Sequence, residues 1–163
     1  MSTRDLALRD YQEAILGKLR QAFIEGHRSV VLVAPTGAGK TEMAMALLGA
    51  AADRGNRAAM ILDRIVLCNQ TSARLDSYGM DHGVMQSGHW RFRPGERIQV
   101  CSAQTLEKRG AMPGMKLLVV DECHNTRQQT IEFIKNNPGI KVVGLTATPF
   151  TKGLGKTYSA VVS

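Results

Sequence analysis

Apolar positions along the chain switch between two rhythms. From Arg9 to Glu25 they fall at Tyr11, Ala14, Ile15, Leu19, Ala22 and Phe23, mostly three or four apart, which predicts a helix that buries one face and ends at Gly26. Ser29 to Ala34 is then almost wholly apolar, the pattern of a short strand covered on both sides. The alternation continues with a helix from Thr41 to Asp53, a strand from Ala58 to Leu62, a helix from Ile65 to Tyr78 and a short strand from Gly83 to Met85. Further strands are predicted at Ile98 to Cys101, Lys116 to Val120 and Lys141 to Leu145, with helices from Ala103 to about Arg109 and from about Gln128 to Asn136 between them. Strands alternating with helices through short connections predict an α/β fold: right-handed crossovers and a mostly parallel sheet with helices on both faces. No repeat or linker interrupts this order, and 163 residues fit a single domain.

Ligands of such sheets bind at the C-terminal ends of the strands, and the suggestive residues all follow apolar strands. After Val30-Val31-Leu32-Val33 comes Ala34-Pro35-Thr36-Gly37-Ala38-Gly39-Lys40-Thr41. Gly37 and Gly39 let backbone N–H groups converge on an anion, and the following helix points its positive end at the same place. Thr36 to Thr41 are therefore read as a phosphate cradle, in which Lys40 meets the outer phosphates and the Thr41 hydroxyl meets Mg2+. Ala34 stands where the first glycine of the usual pattern would be, which a negative φ would accommodate. A second strand, Lys116 to Val120, ends abruptly in Asp121-Glu122-Cys123-His124. Two acids at a buried strand tip are costly unless a cation or a reaction uses them. With a phosphate loop in the same chain, Asp121 is placed to hold Mg2+ and Glu122 to accept a proton from attacking water. The third strand-tip segment is Gly144-Leu145-Thr146-Ala147-Thr148-Pro149.

Composition narrows the class. Apolar residues at 44% and charged residues at 21% suit a globular chain rather than a disordered one, and no apolar run is long enough for a membrane span. The first residues carry no signal-peptide core, so a cytoplasmic protein is expected. Cys68, Cys101 and Cys123 are too scattered for a disulfide framework or a zinc pattern, which leaves reduced thiols and no zinc. Lys and Arg outnumber Asp and Glu by 21 − 14 = 7, a balance suited to a polyanionic partner.

Taken in order, A-P-T-G-A-G-K-T, D-E-C-H and T-A-T-P resemble motifs I, II and III of superfamily 2 helicases and translocases. The resemblance runs from about Leu8 to about Gly155 and is strongest to RadD-like and phage helicases, with restriction-enzyme translocase subunits close behind. It implies a RecA-like fold, ATP and Mg2+ as cofactors, and a role for His124, Thr146 and Thr148 in coupling nucleotide state to grip on nucleic acid. Leu8-Arg9-Asp10-Tyr11-Gln12 is similar to the family's Q-motif, which implies adenine recognition by Arg9 and Gln12; read alone, the glutamine is a helix cap. The segment from Leu62 to Thr71 is similar to motif Ia, and Ser102 to Leu106 looks like the next strand-contacting motif. These imply backbone contacts from Arg64, Gln104 and Thr105, with DNA ahead of RNA as the partner. Read alone, Arg64 is a solvated arginine at a helix start.

The most basic stretch, His89-Trp90-Arg91-Phe92-Arg93-Pro94-Gly95-Glu96-Arg97, is the least family-like. Alternation puts Trp90 and Phe92 on one side and Arg91 and Arg93 on the other. Either this loop stacks on and grips single strands, or its aromatics cover the core while its arginines face water. The resemblance also implies a second RecA-like domain outside residues 1–163, bearing the arginines that reach the γ-phosphate. The expected activity is that of an ATP-dependent DNA helicase or translocase, with the isolated domain largely inactive. An RNA helicase and a stand-alone, nucleotide-dependent binding module without turnover are the alternatives.

Overall fold

The computed structural model describes residues 8–34, 38–62, 65–85, 89, 91–109, 114–123, 128–147 and 157–163. These form helices α1 (Asp10–Ile24), α2 (Ala38–Asp53), α3 (Ile65–Ser77), α4 (Ala103–Arg109) and α5 (Gln128–Asn136). The strands are β1 (Ser29–Val33), β2 (Arg57–Leu62), β3 (Gly83–Val84), β4 (Ile98–Ser102), β5 (Met115–Val120), β6 (Lys141–Thr146) and β7 (Ala160–Val162). They make one sheet in the order β3-β4-β2-β5-β6-β1-β7, with every pair parallel.

The near-continuous apolar character of the strands follows from burial on both faces. Val30 and Leu32 of β1, Met60 of β2, Val119 of β5 and Val143 of β6 pack with α1, α2 and α3 in one core. Their neighbours Val31, Ile61, Val120 and Val142 pack with α4 and α5 in the other. A strand serving two cores has few positions for a polar residue; Ser29, Gln99 and Thr146 are buried exceptions. Leu19, Leu48 and Leu118 are fully buried in these layers, so truncating any one to Ala should cost about 2–5 kcal/mol.

Two features differ from the sequence reading. Helix α2 starts at Ala38 rather than Thr41, so Gly39 and Lys40 lie in its first turn. Glycine is a poor helix former, but here the approach of α1 requires it: a Cβ on Gly39 would lie 2.7 Å from the Tyr11 hydroxyl and 3.3 Å from Gln12 Nε2. Strand β7 was not anticipated. It pairs Val30, Val31 and Leu32 with Ala160, Val161 and Val162 at the sheet edge, a three-residue run too short to show a period.

Candidate functional site

The sheet order sets β1 beside β6 and β5 beside both β6 and β2, so the segments that follow β1, β5 and β6 emerge together at one edge. Lys40, in the first turn of α2, reaches across to the tip of β5. Its Nζ lies 3.3 Å from Asp121 Oδ1 and donates a short hydrogen bond to Glu122 Oε1. Burial by itself would lower the pKa of Lys40, but the bond to Glu122 and the charges of both acids outweigh it and hold the pKa above its ordinary value. The two strand-tip acids are thus neutralised by the cation of the phosphate loop.

Asp121 is anchored through its backbone, its N–H donating to Ile61 O at 3.0 Å. Glu122 has φ +50° and is, among the described residues, the only non-glycine in the left-handed region, a conformation costing about 1–2 kcal/mol. That turn drives Cys123 back under the sheet, where it is fully buried. Cys123 packs so closely on β6 that a Cβ on Gly144 would lie 2.7 Å from Cys123 Cβ and 2.8 Å from both Cys123 Sγ and Tyr158 Cε1. The acid-bearing tip of β5 is therefore wedged against the strand that leads to Thr146. Thr146 is itself fully buried, and its carbonyl accepts the Ala34 N–H at 3.0 Å, tying the end of β6 to the start of the glycine-rich turn. Ala34 does not need a positive φ.

Thr41 and Asp121 line one cleft of about 570 Å3, together with Leu62, Gln70, Thr71 and Arg74. A hydroxyl and a carboxylate suit a hard divalent cation such as Mg2+, so the donor set fits the metal that the sequence implies. On the other side of α2, Gln12 is 3% exposed, too buried for a solvated side chain. Its Oε1 accepts the Arg9 N–H at 2.8 Å and its Nε2 donates to Gly39 O at 3.2 Å. Gln12 caps its own helix and also grips the first turn of α2. Arg9 is exposed beside it. The contact of Tyr11 with Gly39 was not read from the sequence, where Tyr11 counted only as part of a helical face; it lies 41% exposed at the rim.

Of the predicted site residues, Thr36, Gly37, Arg64, Trp90, His124 and Thr148 lie outside the described residues. Ala38 opens α2 through its backbone. Among the predicted nucleic-acid contacts, Gln104 is exposed on the first turn of α4. Thr105 is half-buried and its hydroxyl lies 3.0 Å from Ser102 Oγ, which also caps α4 by accepting the Thr105 N–H. Arg93 is exposed and free to face a phosphate.

Arg91 is a correction. Its side chain is turned inward, with Nη2 3.0 Å from Asp76 Oδ1 and Nε donating to His82 O at 3.1 Å. Phe92, which the core-covering alternative turns inward, is 37% exposed. A guanidinium with a carboxylate and a carbonyl to bond can be buried. His82 is fully buried, with Nε2 2.6 Å from Ser72 Oγ and Nδ1 3.0 Å from Met80 O. Among the described residues no group of His, Cys, Asp and Glu is arranged to hold a metal by itself. The three cysteines are buried and not in disulfides; burial pushes the Cys68 thiol up to about 11 and those of Cys101 and Cys123 up to about 12, so none is a reactive thiolate.

Residues 5–151 match the family model described as type III restriction enzyme, res subunit. A mouse protein named ATP-dependent RNA helicase DHX58 is 28% identical over 189 residues, covering 96% of this chain and 27% of its own length. Among solved structures, the type ISP restriction-modification enzyme LlaGI, in complex with a DNA substrate mimic, superposes with TM-score 0.73 at 18% identity, over 95% of this chain and 19% of that one. The UvsW helicase of bacteriophage T4 superposes equally well, TM-score 0.73 at 17% identity, over 94% of this chain and 58% of that one. The fold is that of helicase RecA-like domains. The chain spans about a quarter of the mouse relative's length.

Proposed function

The chain belongs to the type III restriction enzyme res-subunit family, among the superfamily 2 helicases, and we propose that it is the ATP-binding half of a DNA helicase or translocase. The observation that carries this reading is the convergence of Lys40, Asp121 and Glu122 at the strand tips, with Thr41 and Asp121 in one cleft. Lys40 would take the outer phosphates, Thr41 and Asp121 would hold Mg2+ with water, and Glu122 would receive the proton of the attacking water. Magnesium supplies charge neutralisation at the phosphates.

A second RecA-like domain would close the cleft and supply the arginines that stabilise charge at the γ-phosphate, a contribution of roughly 10³ to 10⁵ in rate. Residues 1–163 alone would then bind nucleotide weakly and turn it over hardly at all. Support comes from the short share of each relative that this chain covers.

DNA is favoured as the track by the restriction-enzyme family match and by the DNA substrate mimic bound to LlaGI. RNA is the second reading, favoured by the 28% identity to an enzyme named as an RNA helicase. ATPase stimulation of the two-domain protein by single-stranded DNA, duplex DNA and RNA tests the choice. The proposal expects DNA to stimulate most; stimulation by RNA alone would replace it with the second reading.

A further inference from the structure

At the opposite edge of the sheet from Lys40, where β5 and β6 begin, the groove between α1 and α2 opens into a pocket of about 450 Å3. Its floor is apolar, made by Leu16, Leu19, Phe23, Leu47 and Leu117. Round it stand Arg20 from α1, Arg54 from the loop after α2, Lys116 from β5 and Lys141 from β6, all four exposed. No acidic side chain lines the pocket, and none of the four cations has an ion pair among the described residues. Lys141 Nζ lies 5.2 Å from the centre of the Phe23 ring, so one cation is already drawn over the floor.

Four like charges around an apolar hollow are an unfavourable arrangement unless something anionic and apolar fills it. A nucleic-acid backbone would satisfy the rim and leave the Leu and Phe floor wet. A single-headed amphiphile would fill the floor but bring one charge to cations that stand on four separate elements. An acidic peptide meets both demands, with a large apolar side chain on the floor and carboxylates spread round the rim. Burying such a side chain is worth roughly 1.5–3 kcal/mol, and the charges add steering and register.

We propose that this pocket docks an acidic, apolar peptide segment of a partner protein, at a site separate from the nucleotide cleft. None of Lys40, Thr41, Asp121 or Glu122 lines it, so docking and nucleotide binding can occur together.

The test uses a short fluorescent peptide in which Asp and Glu flank a Phe-Leu pair, read by anisotropy. The peptide should bind the wild-type protein saturably, and replacing Phe-Leu by Ser-Ser should weaken it. Arg54→Glu with Lys116→Glu should weaken it about tenfold or more, and Leu47→Gln should weaken it with the rim intact. Nucleotide affinity and melting temperature serve as fold checks, and Arg20→Ala with Lys141→Ala provides a second, milder rim variant. Undiminished peptide binding in the rim variants would overturn the proposal. So would a peptide that fails to bind while decanoate or a single-stranded oligonucleotide binds in a manner that depends on the same four cations.

Discussion

Lys40 Nζ lies 3.3 Å from Asp121 Oδ1, so the lysine read as the phosphate ligand and the acid read as the metal ligand hold each other across the cleft, with Glu122 bonded to the same ammonium. On the proposed reading, nucleotide would compete with these acids for the lysine. Glu122→Gln removes one competitor and the proposed base while leaving Asp121 and Thr41 in place. In a protein that includes the proposed second RecA-like domain it should bind ATP at least as tightly as the wild type and show turnover reduced by about 10² or more. An active Glu122→Gln enzyme, measured by phosphate release, would remove Glu122 from its assigned role.

Arg91 and Arg93 should behave differently although they are two residues apart. Arg91→Ala breaks the pairing with Asp76 and the bond to His82 O, and should destabilise by about 1–3 kcal/mol in urea unfolding. Arg93→Ala should stay within about 0.5 kcal/mol of wild type and, if the loop meets a single strand, flatten the salt dependence of binding by a slope of about 0.7. A stable Arg91→Ala protein with a flattened slope would return Arg91 to the phosphate-contacting set.

What was legible in the sequence follows from how local each signal is. Strands buried on both faces are apolar throughout, so β1, β2, β4, β5 and β6 stand out, and the phosphate-loop and strand-tip motifs lie directly after β1 and β5. Arg91 was misread because alternation assumes that charge faces water, whereas its partner Asp76 lies 15 residues earlier on α3. Gln12 was read as either a cap or a base ligand; only its distance to Gly39 O, 27 residues away, shows that it also ties α1 to α2. Strand β7 is defined by pairing with β1 across most of the chain, which no local pattern records.

The wedge between Cys123 and Gly144 makes a sharp packing prediction. Gly144→Ala places a methyl group 2.7–2.8 Å from Cys123 and Tyr158, both of which are buried. A loss of about 1–3 kcal/mol in chemical denaturation is expected. Wild-type stability in that variant would mean that Cys123 and Tyr158 shift without cost.

His82 gives the protein a defined acid sensitivity. Burial, the largest effect, lowers its pKa; the Met80 carbonyl and Asp76 raise it and Arg91 and Arg93 lower it, with the net direction downward. The unfolded chain therefore takes up the proton first as pH falls below about 6.5. Stability from this group is complete above that pH and is lost as pH falls through the lowered folded value. Between about pH 7 and about pH 5, His82→Leu should show a shallower fall in unfolding free energy than wild type. Parallel profiles would mean that folding leaves the pKa of His82 unchanged.

The central claim is that Lys40 belongs to a nucleotide site, and calorimetric titration of ATP with Mg2+ into the wild-type and Lys40→Ala proteins tests it most directly. Lys40 and Asp121 are largely buried, their side chains 14% and 18% exposed, so removing the ammonium should lower the melting temperature of a still folded variant. The account predicts saturable one-to-one binding to the wild type and at least a tenfold weaker affinity in the variant, about 1.4 kcal/mol. Equal ATP affinity in a normally folded Lys40→Ala protein would contradict it.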